Sequence, residues 1–325
     1  MHATSVSSAV FLALIAIVDA NQGSFAPLTK RELDKPVIQP PFYDNKLVPA
    51  LNESLQTTEH TIDLWANNSI PSICKSAIEE QAVDGVLLTS GPVEVFSVTY
   101  ADCDTPWIMC RHPTASASRQ TMAELFGKLP VRHRSFVRHL SAAGGDSGAY
   151  SSGDNVFMAG DSSLAVTVYG HEVGHSLDAH FFGNETGFTE TDAWLEAYDE
   201  DEVVVQDYAQ ASQAENFAQM VNVAIYTLNF PGGIANLAPN WQQFSHMLDL
   251  MTNELKDVLT QGGECRNRLE NSPLVSKSGF GSQTSSVLSS ESSSTVMTIA
   301  SPTSSPAPGT RTRALHRRQR QHQAK

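Results

Sequence analysis

The stretch Tyr169-Gly-His-Glu-Val-Gly-His-Ser-Leu-Asp-Ala-His180 places three histidines, a glutamate and an aspartate within twelve residues. Asp161-Ser-Ser ahead of it reads as a helix cap, and Leu164, Val168, His171 and His175 follow at helical steps, so the segment is expected to be a helix. Residues four apart share a helix face, which sets the imidazoles of His171 and His175 side by side, where both can bind one Zn²⁺ at about 2.0–2.1 Å. Glu172 lies beside the first of them, rotated off the metal axis, where a carboxylate can take a proton from metal-bound water. His180 is nine steps from His171, about 180° round the helix, and is excluded from the same ion. Asp178 edges the metal face, and holding an imidazole N–H suits it better than ligation.

A zinc site open to water needs a third protein ligand. Two carboxylates compete: Glu196, twenty-one residues after His175, and Glu215, forty residues after it. Ser212-x-x-Glu215 before an apolar run is also a capping-box pattern, in which the glutamate would reach back to the cap N–H. His112, His133 and His139 stand among arginines, and nothing in their spacing recruits them to a metal. The acidic run from Tyr198 to Glu202 reads as solvated surface.

Working outward, strand-like runs precede the metal helix and helices follow it. Alternating or apolar runs predict strands at 93–100, 107–111, around 136–140 and at 155–159, the last two joined as a hairpin through the long loop Gly144-Gly-Asp-Ser-Gly148. Helical spacing appears over 47–66, 72–83 and 116–127. Downstream, Trp241, Phe244, Met247, Leu248, Met251, Leu255, Val258 and Leu259 define one apolar helix face, with Asn240 as N-cap and Gly262-Gly263 as stop. That stripe is core. Strands first and helices later indicate an α+β domain.

Both ends are compositionally distinct. An apolar stretch from Val10 to Val18 followed by Val18-Asp-Ala20 is expected to be a signal peptide over residues 1–20, too short to span a membrane. Of residues 272–310, 23 are Ser, Thr or Pro, so 272–325 is expected to be a disordered tail with a basic end. Between them, 21–271 is expected to be one domain, with 21–46 a pro-segment released at Lys30-Arg31 or an extended arm. The tail carries seven Lys/Arg against one acid, a charge of +6, which leaves −20 of the total −14 on residues 1–271. So acidic a body argues against nucleic acid as partner.

Export also governs the cysteines. Cys74, Cys103, Cys110 and Cys265 contain no C-x-x-C pair and are expected to form two disulfides. The connectivity is not deducible, though the short Pro106-containing loop between Cys103 and Cys110 favours pairing those two and leaving Cys74 with Cys265. Sequons at Asn52, Asn67 and Asn184 fit a glycosylated exported chain.

The motif His171-Glu-Val-Gly-His-Ser-Leu-Asp178, with Tyr208 and Ser212-x-x-Glu215-Asn-Phe-Ala218, resembles the gluzincin metallopeptidases of the anthrax lethal factor and Pro-Pro endopeptidase type over residues 125 to 225. The resemblance implies a zincin-like domain with zinc held by His171, His175 and Glu215, Glu172 as general base and Tyr208 as donor to the oxyanion. It also makes the strand around Gly148-Ala-Tyr150 the edge on which a peptide lies. On that resemblance the chain is expected to be a secreted, monomeric zinc endopeptidase acting on peptides or proteins. Its secreted layout with a Ser/Thr tail is also similar to fungal conidiation-specific secreted proteins. A zincin-like cell-wall or surface protein that binds peptides without cutting them is the alternative expectation. Zinc storage is a third, against which the scattered placement of only 11 histidines speaks.

Overall fold

The computed structural model describes residues 16–19, 24–25, 33–183, 187–266 and 268–278. Most of the expected signal peptide, the Asn184 sequon and the tail beyond Ser278 lie outside the described residues.

Twelve strands are described: β1 (Ala16–Asp19), β2 (Ser24–Phe25), β3 (His60–Leu64), β4 (Ser69–Pro71), β5 (Ala82–Val83), β6 (Val86–Leu87), β7 (Glu94–Tyr100), β8 (Cys103–Arg111), β9 (His139–Ala143), β10 (Gly148–Ser152), β11 (Asn155–Ala159) and β12 (Leu274–Ser276). Eight form one sheet in the order β2-β1-β10-β11-β9-β8-β7-β3. Strand β9 runs parallel to both β8 and β11, and the other pairs are antiparallel, so the sheet is mixed. The helices are α1 (Val48–Ser54), α2 (Ser72–Glu79), α3 (Arg119–Gly127), α4 (Val131–Arg134), α5 (Val166–His180), α6 (Asp192–Glu200), α7 (Gln213–Asn229), α8 (Ser245–Glu254) and α9 (Lys256–Leu259). The chain is an α+β protein, as expected.

Successive strand residues point to opposite faces, and the central strands bury both. Phe96, Val98, Trp107, Met109, Leu140, Ala142, Val156 and Met158 enter the large core beneath α3, α5 and α7. Their neighbours Val95, Ile108, Cys110, Ala143, Phe157 and Ala159 enter a smaller core with Ile70, Cys74 and Ile78 on the other face. All five residues of β9 and all five of β11 are buried, since both faces of these central strands are covered. In the larger core Arg134 is fully buried, pairs with Asp102 at 2.5 Å, and lies over the rings of Tyr100 and Trp107.

Several expectations are corrected. The apolar spacing over 47–66 gives a helix only to Ser54, because β-branched Thr61 and Ile62 join β3, which pairs with β7 along the sheet edge. The predicted hairpin between 136–140 and 155–159 is not one: β9 and β11 are parallel neighbours, and the hairpin is β10–β11. Its turn is Gly153-Asp154, both at positive φ (53° and 66°), the conformation that two-residue hairpin turns demand. Asp161 is not the cap of α5; a 3₁₀ turn over Gly160–Leu164 intervenes and the helix begins at Val166 behind an extended Ala165. Most of the late apolar stripe is buried, with Trp241 and Val258 partly so, but it is divided into a 3₁₀ turn (Trp241–Phe244), α8 and α9, the last two separated at Leu255.

The disulfides are Cys74–Cys110 and Cys103–Cys265, not the favoured pairing. Cys103 and Cys110 lie on the same extended strand, β8, where seven residues span roughly 23 Å. Cys103–Cys265 instead fastens the segment after α9 to the sheet. From there Arg268 donates to Val137 O, Ser272 N donates to the His139 ring, and β12 pairs with β4. The described residues continue through Ser278. At the other end, residues 33–40 form an extended arm along Val204–Gln210, with Ile38 N donating to Val204 O and Leu33 N to Gln210 O. Among the described residues no helix is long and apolar enough to cross a membrane.

Candidate metal centre

Helix α5 lies against β10 and packs along α7, and the two helices approach closely because their contact face is small. A Cβ on Gly170 would fall 2.2 Å from Asn222 Oδ1, and one on Gly174 would fall 3.2 Å from the Ala218 Cα. Asn222, buried in the seam, donates to Thr167 O (3.0 Å) and to the Tyr43 hydroxyl (2.9 Å), tying α5, α7 and the start of the domain together. Ser176 Oγ and Ser151 Oγ, 3.0 Å apart, tie α5 to β10.

That approach brings Glu215, in the first turn of α7, to the two histidines of α5. Glu215 Oε2 lies 2.9 Å from His171 Nε2 and 3.3 Å from His175 Nε2, and the two ring nitrogens are 3.1 Å apart. The same three residues form the one cluster of at least three potential ligand side chains among the described residues. Two imidazoles and a carboxylate are a zinc-type donor set. A tetrahedral ion at zinc bond lengths separates its ligands by about 3.3 Å, so the observed triangle is slightly contracted around a metal-sized centre. His175 and Glu215 are part exposed, so one side of the triangle is open to solvent.

The capping box forms by half. Ser212 caps α7, its hydroxyl accepting from Glu215 N at 3.2 Å, while the Glu215 side chain turns away to the histidines. Glu196, the rival third ligand, is exposed on α6 and is not part of the cluster. Asp178 does not hold an imidazole. Its carboxylate accepts from Thr189 N (2.8 Å) and Thr189 Oγ1 (2.9 Å), anchoring the segment that follows α5. His180 is at the far end of α5, paired with Asp154. His133 and His139 are buried and are not part of the cluster.

Glu172 is buried beside the centre, with Oε2 lacking a hydrogen-bond partner among the described residues. Burial lifts its carboxyl above the ordinary range, and the neighbouring imidazoles offset this in part. Tyr208 sits on a 3₁₀ turn with its ring 5.6 Å from that of His171. Burial and the charges of Glu215 and Glu172 push its phenol up. Gln206 fixes this turn, its Oε1 accepting from Tyr208 N and Gln219 Nε2. Burial works to raise Glu215, but hydrogen bonds and charge from His171 and His175 outweigh it and hold the carboxyl well below the usual carboxylate range. Burial likewise opposes charge on His175, and Glu215 raises it on balance. The local field favours positive charge at the centre of the triangle.

The sequence reading missed the seam that makes the cluster. Gly170 and Gly174, four apart on the face of α5 turned to α7, were its available signal, since small residues at that spacing let a second helix come close.

Residues 47–262 match the family described as conidiation-specific protein Con-13. The chain is also similar to conidiation-specific protein 13 of Neurospora crassa, 30% identical over 212 residues, covering 64% of this chain and 58% of that protein. The chain thus spans a little over half the length of that relative. The chain belongs to the Con-13 family. These matches overturn the expected membership in the lethal factor and Pro-Pro endopeptidase family. With it go the assignments as a gluzincin, a metalloprotease and a hydrolase, because the family and the relative are described by conidiation and not by peptidase activity.

Proposed function

We propose that this Con-13 family member is a zinc-binding protein that holds one Zn²⁺ through His171, His175 and Glu215 and uses the centre to bind rather than to cut. The observation that carries the reading is the triangle of three donor atoms 2.9–3.3 Å apart, drawn from two helices. Bound zinc would supply a Lewis-acidic position open to an oxygen ligand. Glu172 accepts a hydrogen bond from whatever oxygen occupies that position, and Tyr208 closes one side of the site.

The centre lies in a zincin-like setting, beside the sheet strand β10. β10 is not the sheet edge, being paired with both β1 and β11; the antiparallel pairing of Ala16 and Ile17 with Ala149 and Gly148 supports a strand-accepting side of β10 on which an extended peptide would take the place of β1. The partner is accordingly an extended peptide or protein segment, taken by a monomer of this chain. Two disulfides support an oxidising compartment, and with it secretion to the cell surface or wall.

The test is metal counting with peptide capture. Purified protein should contain one zinc per chain by plasma mass spectrometry, and His171→Ala or Glu215→Ala should lose it while Glu196→Ala keeps it. Zinc-loaded protein should retain peptides from a random library intact, and should retain fewer after chelation. Full zinc in Glu215→Ala would remove the metal centre, and equal capture with and without zinc would remove its role in binding.

A further inference from the structure

A cavity of about 450 Å³ opens at the far end of α5, between α4, α9 and the segment after Cys265. It is separate from the metal triangle, since His180 on its wall is about 7 Å further along the helix axis than His175. Phe136, Phe181, Val258 and Leu269 give it an apolar wall, and Arg132, Arg138 and Arg266 converge on it. Two carboxylates, Asp154 and Asp257, face these three guanidiniums, leaving a surplus of positive charge in a body whose net charge is −20.

The ion pairs already present do not exhaust those guanidiniums. Arg138 donates through Nη1 to Glu270 O, while its Nη2 lies 3.7 Å from Asp154 Oδ2 and Arg266 Nη1 lies 3.8 Å from Asp257 Oδ2, both beyond hydrogen-bond distance. Asp154 is also engaged by His180. Arg132 binds Asp257 through Nη1, yet its Nε is buried and donates to nothing among the described residues. A buried N–H without an acceptor is costly, so the Arg132 guanidinium keeps unused donor capacity beside the cavity. Guanidinium groups suit a carboxylate head because two N–H groups can face its two oxygens.

We infer that this cavity is a binding site for a small organic monoanion, a carboxylate head on the arginines with an apolar body against Phe136 and Phe181. The volume falls within the range of small-molecule sites, and a largely apolar pocket with a few directed polar groups is their usual make-up.

The test uses octanoate and inorganic phosphate on the full chain, followed by titration calorimetry. Octanoate should bind saturably at one site per chain, and phosphate should bind more weakly because it leaves the apolar wall unused. Arg132→Gln and Arg138→Gln should each weaken octanoate roughly tenfold, the loss expected for a charged hydrogen bond. Arg266 is two-thirds exposed, so Arg266→Gln leaves folding untouched and should weaken octanoate severalfold even if the other variants prove unstable. His171→Ala should not alter octanoate binding. No saturation across the millimolar range, or octanoate affinity unchanged in all three arginine variants, overturns the site; phosphate binding as tightly as octanoate overturns the apolar part of it.

Discussion

Replacing Gly170 by alanine tests the helix seam that assembles the metal centre. The new Cβ would lie 2.2 Å from Asn222 Oδ1, so a gap of about 1 Å must open before ordinary contact distance is reached. Asn222 is buried, and turning it aside gives up its bonds to Tyr43 and Thr167. Leaving such groups unsatisfied costs about 1–3 kcal/mol, and pushing the helices apart costs about as much. A mixture of the two comes to about 3 kcal/mol, and the better helix propensity of alanine returns about 1 kcal/mol. The net expectation is a loss of about 2 kcal/mol, near thirtyfold in the folding constant. Because α7 carries Glu215, the shift also moves a ligand, and zinc affinity should fall at least tenfold. Urea unfolding of metal-free protein and zinc competition with a chromophoric chelator measure the two effects. The same substitution made on top of Asn222→Ala meets no oxygen, so there it should stabilise by about 1 kcal/mol. Equal destabilisation in both backgrounds, or none in the wild type, would refute the seam.

Two further outcomes follow from buried groups and crosslinks. Burial holds His133 down at about 3 and His139 at about 4, so both are neutral in the folded chain above those values. Their unfolded forms take a proton near pH 6.5, hence their contribution is complete above pH 6.5 and is lost as pH falls towards 4. With both acting, stability should fall by up to about 2.7 kcal/mol per pH unit between pH 6 and 4. His139→Gln should roughly halve that slope, and a flat profile over this range would contradict the assignment. Reduction should weaken the fold through both disulfides, which close loops of 36 and 162 residues. Chain-entropy estimates are about 4 and 5 kcal/mol, so Cys103→Ser with Cys265→Ser should cost more than removing the other pair, as read by urea midpoints. The reverse order would show that fastening the last segment adds little.

Local regularities were readable in the sequence, and long-range pairings were not. His171 and His175 share a face because helix geometry alone requires it, and the structure places their Nε2 atoms 3.1 Å apart. Glu215 was within reach as a ligand, but its choice over Glu196 depends on the α5–α7 approach set by Gly170, Gly174 and Asn222, which no local pattern encodes. Residues 60–64 carried helical spacing and became strand, because pairing with β7 decides the backbone there. Sequence proximity of Cys103 and Cys110 is not spatial proximity, because both lie on the extended strand β8, seven residues apart. Parallel placement of β9 beside β11 likewise depends on the crossover through β10, which periodicity does not report.

The proposed zinc centre is open to direct observation. X-ray absorption at the zinc edge of the purified, zinc-loaded chain should show two imidazole nitrogens and two oxygens, one from Glu215 and one exchangeable, at about 2.0–2.2 Å. Glu215→Ala should lose the carboxylate oxygen or the metal altogether. A spectrum with one imidazole or none, or a wild-type signal retained in Glu215→Ala, would contradict the ligand set on which the account rests.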